Sequence, residues 1–253
     1  LAKAVHAIES PGLAMFFAKG GSFDSEWREF FGQFAIVISY LFDPDKIFET
    51  NVKSCGLRQF IAAQHRPDEA KPIHATDVFL KPLEQLTIFD ADPVARLELP
   101  GLAKRNNWLA LHPGSGSESK NWPEQNWREL VAHLLDHSPL NLLLIGGEAE
   151  GDRLQRLANG MPSDRLEIAQ HIPLPELAPR LAKCAGYVGH DTGMTHLAAA
   201  LGLPTLVLWG PSNEMIWRPL GEKVRVLNKH SELAELTLKT VLEGINALEL
   251  EQF

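Results

Sequence analysis

The chain has 253 residues, 45% of them hydrophobic, and 24 Lys plus Arg stand against 32 Asp plus Glu for a net charge of −8. That length suits one large domain or two ordinary ones, and the acidic balance argues against a nucleic-acid binder held by phosphate contacts. Cys55 and Cys184 have neither CxxC nor metal-ligand spacing, so neither a disulfide framework nor a zinc site is expected, which fits a reducing compartment; no apolar run approaches the roughly 18–20 residues that span a bilayer. Nothing near Leu1 reads as a signal peptide, and a start without methionine reads as a processed end or a fragment.

In the first hundred residues "FAIVISY" and "LRQFIAA" are buried-strand candidates, while segments around 47–54 and 75–86 read as helices. His74 and Asp77 share a helical spacing without a partner motif, and Asp24, Asp43 and Asp45 are acidic residues that no motif promotes. The stretch "DADPVARLELPG" (90–101) combines proline with acidic residues and reads as a linker. From Trp108 onward short apolar runs alternate with amphipathic segments: "WLALHPG", a helix over 124–137, "LNLLLIGG", a helix over about 150–159, "RLEIA", a helix over about 175–183, "AGYVGHD", a helix opened by Gly193, "TLVLWG" and "VRVLN". Strands and helices alternating at this spacing imply right-handed crossovers and a doubly wound, mostly parallel α/β sheet. A last helix is expected over 231–250. The expected organisation is therefore a lobe over 1–98 including the linker, a second lobe over 99–230, and a helix within 231–253.

Ligands of an open parallel sheet bind beyond the carboxyl ends of its strands. The loops that belong there are "PGSGSESKNWP", "EAEGD", "HDTGMTH" and "PSN". At the opening of the helix after Val188, unpaired backbone N–H groups and the helix dipole favour an anion. Gly193 lets a phosphate approach the backbone and Thr192 offers a hydroxyl. Lys120, from another loop, brings a full positive charge, so that a Ser/Gly-rich loop, a lysine and a glycine-opened helix together point to a diphosphate site. The plainer reading makes Asp191-Thr192-Gly193 an ordinary helix cap. Glu148 or Glu150, past another strand end, would accept hydrogen bonds from ribose hydroxyls; the alternative is a solvated acidic loop. Trp122 and Trp127 read as packing for the following helix. Of ten histidines, only His196 stands above the default of a surface or structural residue.

The segments "LHPGSGSESKNWPEQNWREL" and "VGHDTGMTHLAAALGLPTLVLWGPSN" resemble the donor-binding domain of family nine glycosyltransferases, the lipopolysaccharide heptosyltransferases, over roughly 99–227. "SYLFDPDKIFETNVKSCG" and "HATDVFLKPL" look like the later part of that family's acceptor domain. The resemblance implies a GT-B fold of two Rossmann-like lobes with the active site in the cleft between them, the N-terminal lobe being incomplete in this chain. It places the family's phosphate lysine on Lys120, preceded by Ser115 and Ser117, and its Asp-Thr-Gly element on Asp191, Thr192 and Gly193. Met194 then follows as the next backbone donor, and His196 holds the family's histidine position. Glu148 is the match for the nucleotide-facing carboxylate, and Ile172 would sit near the base. The family's general base falls upstream of Leu1.

The activity so implied is metal-independent, inverting transfer of a sugar, with ADP-heptose as donor substrate, to a lipid-linked saccharide acceptor of lipopolysaccharide-core type. No cofactor, nucleic-acid partner or transmembrane helix is expected, and the expected location is the cytoplasmic face of a bacterial inner membrane. The alternatives are a nucleotide-sugar-binding protein without transferase activity, for which the absent N-terminal segment argues, and a nucleotide-sugar epimerase on the same fold.

Overall fold

The computed structural model describes residues 4–103, 105–228, 232–248 and 250. They divide into two compact units at Pro93/Val94. In the first unit, β1 (Ile36–Ser39) and β2 (Gln59–Ala62) pair in parallel, with Ile36 opposite Gln59. Four helices accompany them: α1 (Pro11–Ala14), α2 (Ser25–Gly32), α3 (Ile47–Lys53) and α4 (Ala75–Leu80). α4 runs into a 3-10 turn over Lys81–Leu86, so the second expected helix is half of another kind. Leu13, Phe16, Phe31, Phe48 and Val52 form the core, and Phe16 stacks on Phe23 at 4.1 Å between centroids.

In the second unit, six parallel strands stand in the order β5-β4-β3-β6-β7-β8. They are β3 (Arg105–His112), β4 (Asn141–Gly146), β5 (Leu166–Gln170), β6 (Cys184–His190), β7 (Thr205–Trp209) and β8 (Val224–Asn228). The helices between and after them are α5 (Glu124–His137), α6 (Arg153–Ala158), α7 (Leu174–Ala182), α8 (Gly193–Ala200), α9 (Glu214–Trp217) and α10 (Leu238–Asn246). β7 is buried along its whole length, as expected of a parallel strand covered on both faces. One apolar cluster joins β3, β4 and α5 to β7 and α10 through Leu109, Leu144, Leu130, Leu206 and Val241. A second, around Ala110, Leu143, Leu177 and Tyr187, fills the opposite face.

Two expectations shift. The boundary between units falls before Val94, because the Leu97 N–H donates to the Ala200 carbonyl at 2.7 Å and ties this strip to the second unit. The last helix is shorter than 231–250 and packs into the second unit through Val241 and Ile245; residues 231, 249 and 251–253 lie outside the described residues. The strand order reverses between β3 and β6, where Leu111 lies opposite Val188 and His112 opposite Gly189. That is the switch point of a doubly wound sheet, and in such sheets ligands bind beyond the carboxyl ends of the strands at this point.

Candidate functional site

The loops after β3, β6 and β7 meet at this switch point. Lys120 ends a 3-10 turn, Glu118–Lys120, and its Nζ donates to Asp191 Oδ2 at 3.0 Å. Ser212, in the loop after β7, donates to the same oxygen at 2.6 Å. Asp191 thus clamps two loops and leaves the helix uncapped. Thr192 is the N-cap of α8, with extended backbone, and its side chain makes no capping bond. The plain helix-cap reading therefore fails: neither polar side chain satisfies the first-turn amides. The N–H groups of Gly193 and Met194 have no intrahelical acceptor by position. A Cβ built on Gly193 would meet nothing within 4 Å, so open space faces this helix end.

The loop before Lys120 is held from inside. The Ser115 hydroxyl is buried, donates to the Ser117 carbonyl at 2.8 Å and accepts from the Ser117 N–H at 3.3 Å, closing a tight turn. Ser117 is exposed, with its hydroxyl 2.9 Å from that of Ser119. Beyond Lys120, the Trp122 backbone N–H donates to His190 Nε2 at 2.8 Å, and the Trp122 indole N–H donates to the Leu236 carbonyl at 2.8 Å. His190 Nδ1 lies 3.3 Å from the Gly114 carbonyl. With one ring nitrogen accepting and the other facing an acceptor, the ring is the neutral Nδ1–H tautomer. Burial pushes its pKa down to about 3. As expected, Trp122 and Trp127 are packing residues, fully buried and edge-to-face at 5.5 Å.

A buried polar line runs under the helix end. Glu150 Oε1 lies 3.5 Å from His112 Nε2, and Glu150 Oε2 accepts from the Gly147 N–H at 2.6 Å. The His112 imidazole, then the Gly147 amide, hold the carboxyl down to about 2 against the opposing effect of burial. Gly114 makes room for this pair, since a Cβ there would come 2.2 Å from Glu150 Oε1. His112 Nδ1 is in turn 3.3 Å from Thr192 Oγ1. Thr195 donates its hydroxyl proton to the His190 carbonyl, and Tyr187 OH lies 3.1 Å from Thr195 Oγ1. Gly189 is needed beside that phenol, because a Cβ there would stand 2.4 Å from the Tyr187 oxygen.

The structure therefore gathers Lys120, Asp191, Thr192 and Gly193, with Met194 next on α8 and Ser115 and Ser117 in the adjoining loop. His196 is exposed on α8. Of the two glutamates, Glu148 is exposed at the tip of its turn, whereas Glu150 is buried and fully engaged. Ile172 is half-buried and packs against the cluster that also takes Met194 and Leu197. Sequence reading passed over His112, His190, Thr195 and Ser212. Polar residues closing apolar strand runs were the available signal for the histidines; Ser212 had only its place in a loop at the same edge. In the first unit, Asp43 caps α3: its carboxylate accepts from the N–H groups of Ile47 and Glu49 at 2.9 Å and Phe48 at 3.2 Å. Among the described residues no group of three or more His, Cys, Asp or Glu is placed to hold a metal ion.

The chain is 35% identical over 131 residues to lipopolysaccharide heptosyltransferase 1 of Pseudomonas aeruginosa, covering 52% of this chain and 33% of that protein. It is 29% identical over 172 residues to lipopolysaccharide heptosyltransferase 2 of Escherichia coli K12, covering 60% and 49%. The chain thus spans between a third and a half of the curated relatives it matches. Among solved structures, the Escherichia coli heptosyltransferase WaaC with ADP superposes with a TM-score of 0.68 at 22% identity, over 88% of this chain and 77% of that one. A family 9 glycosyl transferase from Veillonella parvula reaches 0.74 at 19% identity, over 89% and 77%. These likenesses show the fold to be of the α/β, GT-B type. The profile of glycosyltransferase family 9 (heptosyltransferase) matches residues 73–245, and the chain belongs to that family.

Proposed function

We propose that this chain supplies the donor site of a glycosyltransferase that moves heptose from ADP-heptose to a lipopolysaccharide-core acceptor by a single inverting displacement. The observation that carries the reading is the convergence of Lys120 with the open N-terminus of α8 at the switch point, joined through Asp191. Solved relatives named as heptosyltransferases with ADP and with an ADP-heptose analogue support the choice of base and sugar.

In the reaction, the acceptor hydroxyl oxygen attacks the anomeric carbon as the bond from that carbon to the phosphate oxygen breaks. The hydroxyl proton passes to a general base, a role assigned here to no residue of the chain; Asp43 is committed to its helix. Negative charge grows on the departing diphosphate. Lys120 Nζ, the Thr192 hydroxyl and the amides of Gly193 and Met194 are the donors that receive it, with Ser117 at the loop edge. Such preorganised donors each contribute about 3 kcal/mol at a developing charge. Asp191 and Ser115 hold the loops, and His196, Glu148 and Ile172 extend the site towards sugar and nucleoside. The acceptor is lipid-linked, and the chain meets it at the cytoplasmic face of the inner membrane; no helix among the described residues is long and apolar enough to cross a bilayer.

Calorimetric titration with ADP, UDP and GDP, with and without a chelator, tests this reading. Expected is metal-independent preference for ADP that weakens roughly ten- to hundredfold in Lys120→Ala, the worth of one charge-assisted hydrogen bond. Unchanged affinity in that variant would sink the assignment.

A further inference from the structure

One guanidinium ties the loop that carries Lys120 to the neighbouring loop after β4. Arg153 is the first residue of α6, so it sets a cation at the positive end of a helix, the unfavourable sign there. Its side chain is 11% exposed, and its three nitrogens reach three points along a single loop. Nη1 donates to the Pro113 carbonyl at 3.3 Å, where the loop leaves β3. Nη2 donates to Glu118 Oε1 at 2.7 Å, in the turn that ends at Lys120. Nε donates to Glu124 Oε2 at 3.4 Å, where α5 begins.

Of these contacts, the one to Glu118 bears most on Lys120. Pro113 is adjacent to the end of β3, and Glu124 is already gripped by Arg156 through bonds of 2.7 Å to each carboxylate oxygen. The stretch between them, "GSGSESK", is rich in glycine and serine, and its internal bonds close only local turns: Ser115 with Ser117, and the Lys120 N–H to the Ser117 carbonyl at 3.0 Å. Its side chains reach other elements through Glu118, to Arg153, and through Lys120, to Asp191. An arriving diphosphate competes with Asp191 for the lysine, whereas the Glu118 tie is left intact.

We propose that Arg153 is a positioning residue that, through Glu118, holds the turn bearing Lys120 in the place from which the lysine meets the diphosphate. The inference rests on the diphosphate reading above and deepens it. Arg153 is itself no phosphate ligand, since its guanidinium is nearly buried and turned to protein oxygens. It comes just after the 3-10 turn Glu148–Glu150, so the tie joins the loop after β4 to the loop after β3.

Glu118→Gln isolates the tie, because Glu118 is exposed and its loss leaves the core untouched. Charge alone predicts tighter ADP binding in this variant, since a carboxylate near an anion is removed and a cation is released. Positioning predicts the opposite sign. Calorimetric titration with ADP, carried into the millimolar range, should show affinity about fivefold weaker, the worth of one partly exposed ion pair. In a Lys120→Ala background the same substitution should change affinity less than about twofold, because no lysine is left to place. Amide exchange without nucleotide should rise in the loop over 116–121 and stay unchanged elsewhere in the second unit. Unchanged or tighter ADP binding in Glu118→Gln, an equal loss with Lys120 absent, or unaltered exchange in the loop overturns this proposal alone. Full ADP affinity in Lys120→Ala overturns the diphosphate reading, and this inference with it.

Discussion

The two units differ in where they bury polarity. In the unit up to Pro93, both strands are four residues long, only Ile61 within them is buried, and the core is largely aromatic. Among its described residues the buried polar one is Asn51, whose amide donates to the carbonyls of Phe16 and Ala18 at 2.9 Å each, an architectural use. In the unit from Val94, His112, Ser115, Glu150, His190 and Thr195 are all buried around the carboxyl ends of β3, β4 and β6. Burying polar groups is costly unless they are paired. Concentrating them at one sheet edge, facing each other and an open helix end, is the feature on which the proposed donor site rests.

The sharpest way to break this comparison is to strike the apolar support beneath the site. Trp127→Ala removes a fully buried ring packed on Trp122 and His190, and should cost about 3–5 kcal/mol. Hydrogen exchange resolved along the chain should show the loss in the second unit and not in the first.

Acid should separate the units next. His190 is held neutral in the fold, so the unfolded chain binds a proton that the folded one refuses, and stability falls as pH drops from about 6.5 towards 3. Glu150 has a depressed pKa, so its contribution is complete above about 4.5 and is lost as pH falls towards 2. Glu150→Gln should cost on the order of 2 kcal/mol at pH 7 and should flatten the lower part of that acid limb in thermal melts.

A smaller effect is expected in the first unit. Asp43→Ala removes the cap of α3 and should cost about 1 kcal/mol by urea unfolding, while ADP affinity stays unchanged. Lost nucleotide binding in that variant would mean the two units do not divide labour in this way. Least of all in stability, Gly193→Ala should lie within about 0.5 kcal/mol of the parent, because its Cβ enters open space. That methyl would occupy the ground a phosphate needs, so ADP affinity should still drop at least about tenfold, near 1.4 kcal/mol.

Much of the second unit was legible in the sequence. The helix over 124–137 and the runs that became β4, β6 and β7 follow from period and apolar content, since strands covered on both faces must be apolar throughout. The first unit was less so. α2, where aromatic residues crowd an eight-residue helix, gave no clear period, and β1 and β2 are too short and too exposed to be bounded from composition. Within the site, Lys120, Asp191 and Gly193 were legible because their chemistry is unusual at strand ends. His112 and His190 were not, because a histidine closing an apolar run has the same appearance whether it packs or binds.

The sequence by itself determined the alternation of strand and helix and, through right-handed crossovers, the edge on which the loops gather. Which polar groups meet there was decided only by tertiary structure. Lys120 reaches Asp191 across 71 positions, His112 reaches Thr192 across 80, and both pairings exist because β3 and β6 lie side by side. Glu150 rather than Glu148 turns inward because a single 3-10 turn places it over Gly114. Local periodicity carries no record of strand order, and strand order is what brings distant side chains within hydrogen-bonding reach.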